Sequence, residues 1–356
     1  MDKERNAGID LLRMFAAFMI VVFHSVTQGG IVDYSAENTA TFFISRFIWA
    51  FSMEGVNIFA LISGYIAFSD TKRRIKYSRL LELWFTVIFY SLLTDGIFDL
   101  IRDDWVSPID YLIAITPLTN STFWYFSAFV GLYIFKPLLD NGIRGCEERT
   151  LKIISVLIIL LFSFLEFITQ SFRMNYGFSV LWLIAMYVIG ATIRKCNLEK
   201  KIKIWIPLVL ILILGIIAYL GTIYITEAKF MSLSIDSMSL IRYNSPTIMI
   251  SSVCYLLVFL KIKVNHKYDR MIKILGMSTF SVYIVNCTDM FWNHVMDDLF
   301  KESVSLPVGR LMLSMFTFSF VFFVFVLGLD ILRRKLFSIC GINKLCGLID
   351  KKIEVE

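Results

Sequence analysis

The sequence is poor in charged residues and in proline. Charged side chains make up 18% of its 356 residues and there are only six prolines, whereas 57% of the residues are hydrophobic. The mean hydropathy is +0.71. Soluble globular domains have about 45–50% apolar and about 25% charged residues. The apolar excess cannot be covered inside one water-soluble core, which excludes a soluble domain and indicates that much of the chain faces lipid.

Cysteine is also sparse, and its spacing excludes two further classes of protein. The six cysteines form no CxxC pair. Neither a disulfide framework nor a zinc site is therefore expected. We predict no metal and no permanently bound cofactor.

The sequence is rich in long apolar runs and contains 33 phenylalanines. A transmembrane barrel strand would alternate over about ten residues, whereas a membrane helix needs about twenty apolar residues. Ten runs of that kind lie at about 9–27, 47–68, 80–100, 121–139, 151–169, 177–193, 204–225, 245–260, 275–291 and 307–332. The short apolar piece between Pro108 and Pro117 is interpreted as re-entrant or interfacial. The first run has no small-residue cleavage site after it, so it is interpreted as a retained helix and not a signal peptide.

The distribution of Lys and Arg tests this arrangement, because these residues stay on the cytoplasmic side of membrane proteins. Connections on the amino-terminal side carry 27 of the 35 basic residues and the opposite side carries 7, while Lys136 lies inside a run. The bias predicts an all-α membrane protein with about ten transmembrane helices and both termini cytoplasmic. It also assigns the net charge of +6 to topology, so no nucleic-acid partner is expected. Residues 1–356 are predicted to form a single integral-membrane domain with no appended soluble domain.

The first helix carries the most informative polar residues, Asp10, Arg13 and His24. Charged side chains inside a bilayer are costly and are functional candidates by default. Eleven residues separate Arg13 from His24, so both project from one helix face, with His24 about 16 Å deeper. The spacing is equally consistent with a snorkelling arginine and a helix-capping histidine.

Five segments in order resemble the acyltransferase-3 family of bacterial membrane acyltransferases. The opening GIDLLRMFAAFMIVVFHS contains the family's Ile-Asp-x-x-Arg and its Arg, ten residues, then His, here at Arg13 and His24. The others are GVNIFALISGYI (55–66), KYSRLL (76–81), FWYFSAFVGLYIFKPLL (123–139) and STFSVYIVN (278–286). Two positions depart from the family's pattern. Lys76 replaces an arginine and loses its planar fork for phosphate, and Asn286 stands where many members have histidine.

The resemblance implies transfer of an acyl group, most often acetyl, from cytoplasmic acetyl-CoA or another acyl-CoA to a hydroxyl of a surface glycan or lipid-linked sugar precursor. The anionic donor needs cations at the cytoplasmic mouth, where Arg13, Lys76 and Arg79 lie. Arg73 and Arg74 are better explained as topological charge. A hydroxyl nucleophile needs a base near working pH, which His24 supplies as the only histidine within a predicted span. His24 and Arg13 are thus the predicted catalytic residues, with Asp10 on the same stripe as a substrate-binding candidate.

Glu54 lies at a depth similar to that of His24, so it is a candidate orienting partner. It is equally well placed to pair with Arg46 on its own helix. Further residues are predicted to line the substrate pocket, although an interfacial aromatic belt also explains the last two of them. These residues are Asn57, Ser63, Tyr65, Trp124 and Tyr125.

The sequence thus favours an O-acyltransferase of the bacterial inner or plasma membrane, with acyl-CoA, a glycan acceptor and the lipid bilayer as its partners. A transporter or flippase of polyprenyl-linked glycans is the alternative, and it would be expected to show inverted repeats and helices broken at corresponding positions. A polysaccharide polymerase would be expected to carry a large exterior loop. Direct transfer and transfer through an acyl-histidine both fit the sequence.

Overall fold

The computed structural model describes residues 6–68, 76–101, 106–119, 121–225, 228–230 and 233–353. Almost all regular structure in these ranges is helical. The helices are α1 (Ala7–Val26), α2 (Ile31–Tyr34), α3 (Ala40–Ala50), α4 (Gly55–Ala67), α5 (Tyr77–Ile101), α6 (Pro108–Ile115), α7 (Trp124–Gly145), α8 (Glu148–Ile158), α9 (Glu166–Thr169), α10 (Val180–Lys195), α11 (Leu198–Lys201), α12 (Trp205–Tyr224), α13 (Pro246–Phe259), α14 (Asp269–Cys287), α15 (Asp289–Phe291), α16 (Val308–Ile339) and α17 (Ile342–Ile353). A π-helical segment, Ile159–Leu165, joins α8 to α9.

One short antiparallel hairpin departs from the all-α prediction. Strands β1 (Ala228–Phe230) and β2 (Leu233–Ile235) pair with Ala228 opposite Ile235. The hairpin lies in the connection between α12 and α13. It leaves the helical bundle itself unchanged.

Each of the ten predicted runs coincides with helix. Within the described residues, six helical segments can cross a membrane by length and composition, and a seventh is added if a bent pair counts as one span. The six are Ala7–Tyr34, Ala40–Ala67, Tyr77–Ile101, Glu148–Thr169, Trp205–Tyr224 and Val308–Ile339. The helices α10 and α13 have only 16 and 14 residues, and α7 contains Lys136, Asp140 and Arg144. The count of ten spans therefore stays a prediction, as do the cytoplasmic termini.

The core of the bundle is built around α10, which is buried along eleven of its 16 residues. Its closest neighbour is α4, and glycine allows the two backbones to touch. A Cβ on Gly64 would lie 1.9 Å from the Tyr187 carbonyl oxygen, and a Cβ on Gly190 would lie 2.1 Å from the Leu61 carbonyl oxygen. Only glycine fits at two such reciprocal contacts. The pair α4–α10 is thus a fixed frame for the helices around it.

Arginine and lysine side chains gather at one end of the bundle, which we call the basic end. Arg144 donates to the carbonyl of Ala67 at the end of α4, and Lys195 donates to the carbonyl of Cys146 after α7. Arg13 on α1 and Arg333 on α16 lie at the same end. The terminal helix α17 packs there against α5, where Asp350 accepts from the Ser78 backbone N–H at 3.0 Å.

Cysteine labelling tests the predicted orientation of the basic end. Cys340 is exposed and Cys146 is half-buried at this end, whereas Cys196 is buried and is a poor reporter. In single-cysteine variants, we expect a membrane-impermeant maleimide to label Cys146 and Cys340 only after spheroplasts are permeabilised. An introduced cysteine at the exposed Asn293, on the opposite end, should be labelled in intact spheroplasts. Labelling of Cys340 without permeabilisation would place the basic end outside the cell.

Candidate active site

His24 lies in the last turn of α1, at the end of the bundle opposite the basic end. Its Nδ1 atom makes a short hydrogen bond to the side-chain oxygen of Asn286 on α14. An amide oxygen only accepts, so Nδ1 donates in this contact, and when the ring is neutral its lone pair is on Nε2. Asn286 is fully buried. The contact therefore fixes both the tautomer and the orientation of the imidazole, with Nε2 free to accept a proton.

A bend after α14 completes the surroundings of His24. The chain turns by 59° between the helix ending at Cys287 and the one beginning at Asp289. Asn286 lies just before the bend, and Trp292 just after it meets the His24 ring edge-on, with centroids 4.8 Å apart. Thr122 donates to Asp289 at 3.1 Å, which ties the bend to the start of α7. The imidazole is thus held between an amide and an indole that flank the same bend.

At the basic end of the same helix, Arg13 and Asp10 form an ion pair of 2.7 Å. Asp10 is 1% exposed and packs so closely on α14 that a Cβ on Gly276 would lie 2.7 Å from its Cβ. Asp10 is thus buried under α14 and holds the Arg13 guanidinium, and its substrate-binding role stays a prediction. Arg13 and His24 occupy opposite ends of one helix, as their spacing predicted.

Lys76 and Arg79 are both exposed at the start of α5, at the basic end. The Arg79 backbone N–H donates to the Lys76 carbonyl at 3.2 Å, and the same carbonyl accepts from the Tyr133 hydroxyl at 2.8 Å. Both cations thus lie at the same end of the bundle as Arg13. Arg73 and Arg74 lie outside the described residues.

Glu54 is 1% exposed at the start of α4 and accepts a hydrogen bond of 2.9 Å from Ser251 on α13. The structure contradicts both of its predicted partners. His24 is bonded to Asn286, and the Arg46 guanidinium lies over the Phe42 ring, 3.6 Å from its centroid. Similar depth along the membrane did not identify the neighbour, because α4 also packs against α13, whose Ser251 reaches the Glu54 carboxylate. Glu54 is a buried carboxylate that joins α4 to α13.

Asn57, which was predicted to line the substrate pocket, makes two hydrogen bonds to other elements of the bundle. Its amide nitrogen donates to the Tyr243 carbonyl at 2.8 Å, and its oxygen accepts from the Trp182 indole at 2.8 Å. At 1% exposure it has no face left for a substrate. The residue fastens α4, α10 and the segment before α13 together.

Polar side chains near the end of α4 also make hydrogen bonds within the protein. The buried Tyr65 hydroxyl accepts from Arg194 at 3.0 Å and donates to Glu199 at 3.3 Å. The Ser63 hydroxyl donates to the Phe59 carbonyl of its own helix at 2.9 Å. The contacts of Tyr65 are thus with a polar cluster at the basic end and not with the surroundings of His24.

Trp124 and Tyr125 belong to a row of aromatic rings near the His24 end. The Trp124 ring stacks on Tyr243 with centroids 5.7 Å apart, and Tyr125 meets Tyr283 of α14 at 5.9 Å. Tyr125 is 8% exposed, and its hydroxyl has no hydrogen-bond partner among the residues that the structure describes. A purely interfacial belt would not bury Tyr125. The row leads to α14 one turn before Asn286.

Two buried polar networks were not assigned from the sequence. In one, Asp330 on α16 accepts from Arg333 at 2.8 Å and from the Tyr90 hydroxyl at 3.1 Å. In the other, Asp140 on α7 accepts from Lys136 and from Tyr187. Asp330 could have been found from the sequence, because it is a carboxylate inside the last predicted span. Both networks join helices away from His24.

No group of three or more His, Cys, Asp or Glu side chains within the described ranges is arranged to hold a metal ion. The other two histidines are exposed. His266 pairs with Asp269 at 3.0 Å, and His294 contacts Phe98 with ring centroids 6.0 Å apart. His24 is therefore the histidine with a buried polar partner.

The apolar helices and the buried histidine describe a multi-pass membrane protein with an ionisable site at one end of its bundle. A sequence model described as an acyltransferase domain matches residues 6–333, almost the whole chain. The chain belongs to this family, the acyltransferase-3 family, and is a membrane acyltransferase. Comparisons with curated proteins and with solved structures find no match.

Proposed function

We propose that this protein is an O-acyltransferase of the bacterial inner or plasma membrane. It moves an acyl group, acetyl in the first instance, from cytoplasmic acyl-CoA to a hydroxyl of a surface polysaccharide or glycolipid precursor. The observation that carries the proposal is the contact between His24 and Asn286, which leaves Nε2 as a proton acceptor inside a family of acyltransferases.

In the proposed reaction, Nε2 of His24 takes the proton of the sugar hydroxyl as its oxygen attacks the thioester carbonyl. The carbon–sulfur bond breaks, the proton passes to the leaving thiolate, and the products are a sugar ester and free coenzyme A. General-base catalysis of this kind contributes about 10²–10⁴-fold. An acyl-imidazole on His24 would split the same transfer into two steps: His24 first takes the acyl group and coenzyme A leaves with the imidazole proton, and the sugar hydroxyl then takes the acyl group and returns its proton to the imidazole.

Unpartnered polar groups in the bundle support binding of a polar donor arm near His24. The Tyr125 hydroxyl and the Asn286 amide nitrogen are both buried without a hydrogen-bond partner among the described residues. Buried donors are costly when they are unpaired. A thioester carbonyl or an amide of the pantetheine arm would satisfy them.

The exposed cations of the basic end are suited to the other part of the donor, its phosphates. Arg79 presents a planar guanidinium that matches phosphate oxygens in pairs, whereas Lys76 offers a point charge. Arg13 lies nearby but already neutralises Asp10. We assign phosphate binding first to Arg79, with Lys76 and Arg13 adding to the local positive charge.

Replacement of Arg79 by alanine tests this assignment. If the guanidinium binds a donor phosphate equally in the ground and transition states, its loss should raise KM for acyl-CoA by about tenfold or more and leave kcat nearly unchanged. Arg270→Ala, which removes another exposed arginine of the basic end, is the matched control. An unchanged KM in a well-expressed Arg79→Ala protein would show that Arg79 does not bind the donor and serves only as a topological charge.

A transporter would be expected to break helices at corresponding positions of two repeats. The described residues contain one strongly bent pair of apolar helices, at α14 and α15. Transfer of radioactive acetyl from acetyl-CoA to membrane glycan by the purified protein tests the proposal against this alternative. Glycan translocation without any acetyl transfer would favour the transporter.

A further inference from the structure

A separate cavity of about 240 Å³ opens between the loop that follows α9 and the segment that precedes α13. Its walls include Glu166, Arg173, Tyr176, Arg242 and Asn244. Pockets for drug-sized ligands measure about 300–1,000 Å³. This cavity is smaller, so it suits a group of the size of one sugar ring and not coenzyme A.

The loop that forms one wall is held in an unusual backbone conformation. Arg173, Asn175 and Tyr176 all have positive φ angles, of 49°, 49° and 56°. Glu166 supports the loop, because its carboxylate accepts from the backbone N–H groups of Phe172 at 2.7 Å and Met174 at 2.8 Å. Positive φ in non-glycine residues is uncommon and clusters at functional sites. The loop is thus built to present Arg173 and Tyr176 in fixed positions.

The opposite wall is equally well supported. Arg242 forms an ion pair of 2.6 Å with Asp236, and its guanidinium lies 4.0 Å from the centroid of the Tyr176 ring. Tyr176 is 42% exposed, so one face of its ring is open. Arg242 is therefore a positioning residue that aligns the tyrosine, with its own charge balanced by Asp236.

Two polar side chains of the cavity remain for a ligand. Arg173 is exposed and has no ion-pair partner among the described residues. Asn244 is 6% exposed, and its side chain makes no hydrogen bond to another described residue. A guanidinium without an acidic partner binds an anion. A buried amide binds hydroxyl or carbonyl groups, and an open aromatic face packs against the C–H face of a sugar ring.

The cavity is joined to the site of His24 by aromatic rings. Tyr243, between Arg242 and Asn244, stacks on Trp124 with centroids 5.7 Å apart. Trp124 meets Tyr125 at 5.6 Å, and Tyr125 meets Tyr283, three residues before Asn286, at 5.9 Å. Burial raises the pKa of Tyr243, so its phenol stays protonated. This row of packed rings links the cavity to the helix that carries Asn286, at the same end of the bundle as His24.

We infer that this cavity binds the acceptor, and that the acceptor contains an acidic sugar. The carboxylate of a uronic acid lies on Arg173, its hydroxyls bond to Asn244, and its ring packs on Tyr176. The inference rests on the proposed function for its role in catalysis, but binding itself needs no transfer and is measured without it. It places the specificity for the acceptor away from the reacting atoms.

The test measures binding of trigalacturonate to the purified protein in nanodiscs of neutral phosphatidylcholine. We expect binding that is weakened by about tenfold or more in Arg173→Gln, because one charge-assisted contact is lost. Arg310→Gln, which removes an exposed arginine at the same end but outside the cavity, should bind as the native protein does. Maltotriose, which is neutral, should bind much more weakly than trigalacturonate. His24→Ala should bind trigalacturonate normally.

Equal binding of trigalacturonate by Arg173→Gln and the native protein would overturn the inference. In a second set of nanodiscs that contain phosphatidylglycerol, binding of this lipid that depends on Arg173, with no binding of trigalacturonate in either set, would also overturn it, since the cavity would then hold a lipid headgroup. Asn244→Ala is a second test variant. It should weaken the binding of both trigalacturonate and maltotriose, because it removes the amide and leaves the charge of the site unchanged. Trigalacturonate binding by a native protein that transfers no acetyl would support the cavity and contradict the proposed function.

Discussion

Replacement of His24 by alanine should lower acyl transfer by about 10²–10⁴-fold, the usual contribution of a general base. The reason is that Nε2 is the proton acceptor that Asn286 orients, and the other two histidines lie at exposed positions. Acyl-CoA should still bind, because its proposed phosphate contacts are at the opposite end of α1. The measurements are single-turnover transfer of labelled acetyl and calorimetric binding of acyl-CoA.

His294→Ala is the matched control, since it removes an exposed histidine at the same end of the bundle. His24→Gln keeps a polar side chain at position 24 and separates loss of the base from loss of packing. A His24→Ala protein that keeps half of the native rate contradicts the mechanism. Loss of both transfer and acyl-CoA binding in His24→Ala and in His24→Gln would assign His24 to the stability of the bundle.

Replacement of Asn286 by leucine should lower kcat by about 5- to 150-fold, the equivalent of about 1–3 kcal/mol for a lost buried hydrogen bond. Without the amide oxygen, the proton of the imidazole is no longer held on Nδ1 and the ring is free to turn. KM for acyl-CoA should change little, because Asn286 acts through His24. Steady-state kinetics of the purified variants give both values.

Rescue distinguishes positioning from simple packing. Asn286→His places at this position the residue that many family members carry, and it should restore most of kcat because a neutral imidazole also accepts from Nδ1–H. Ser278→Ala, another buried polar substitution on α14, should leave kcat unchanged. If the leucine and histidine variants are equally active, whether both match the native kcat or both fall far below it, the contact with His24 has no catalytic role.

Much of the helical architecture could be predicted from the sequence, because a membrane helix requires a long run of apolar residues. All ten runs coincide with helix, yet only six or seven segments meet the length and composition of a span. The difference comes from α7, α10 and α13. The helix α10 is surrounded by protein along most of its length, so its hydrophobic pattern reflects burial in the bundle as much as contact with lipid.

The spacing along α1 correctly predicted that Arg13 and His24 occupy opposite ends of one helix. The partner of His24 could not be predicted in the same way, since it comes from α14, whose packing against α1 is set by contacts such as that of Gly276 with Asp10. Asn286 was given no role because it replaces a histidine of the family pattern. The sequence shows an amide side chain in a segment that matches the family's motif. It does not show that this side chain contacts His24.

The predicted pocket residues on α4 could not be assigned from the sequence for a related reason. Asn57 and Tyr65 are polar residues in an apolar helix, a pattern that indicates either a site or an interhelical hydrogen bond. The structure satisfies both side chains with protein partners. Polar residues whose partners are missing, such as Tyr125 and Asn286, are better indicators of a ligand.

The measurement that tests the central claim most directly is mass spectrometry of surface glycan from three strains. One strain lacks the gene, one carries the native gene on a plasmid, and one carries the His24→Ala variant at the same expression level. The account predicts that acetyl groups are lost in the deletion, restored by the native protein and not restored by the variant. Glycan that is equally acetylated in all three strains would contradict it.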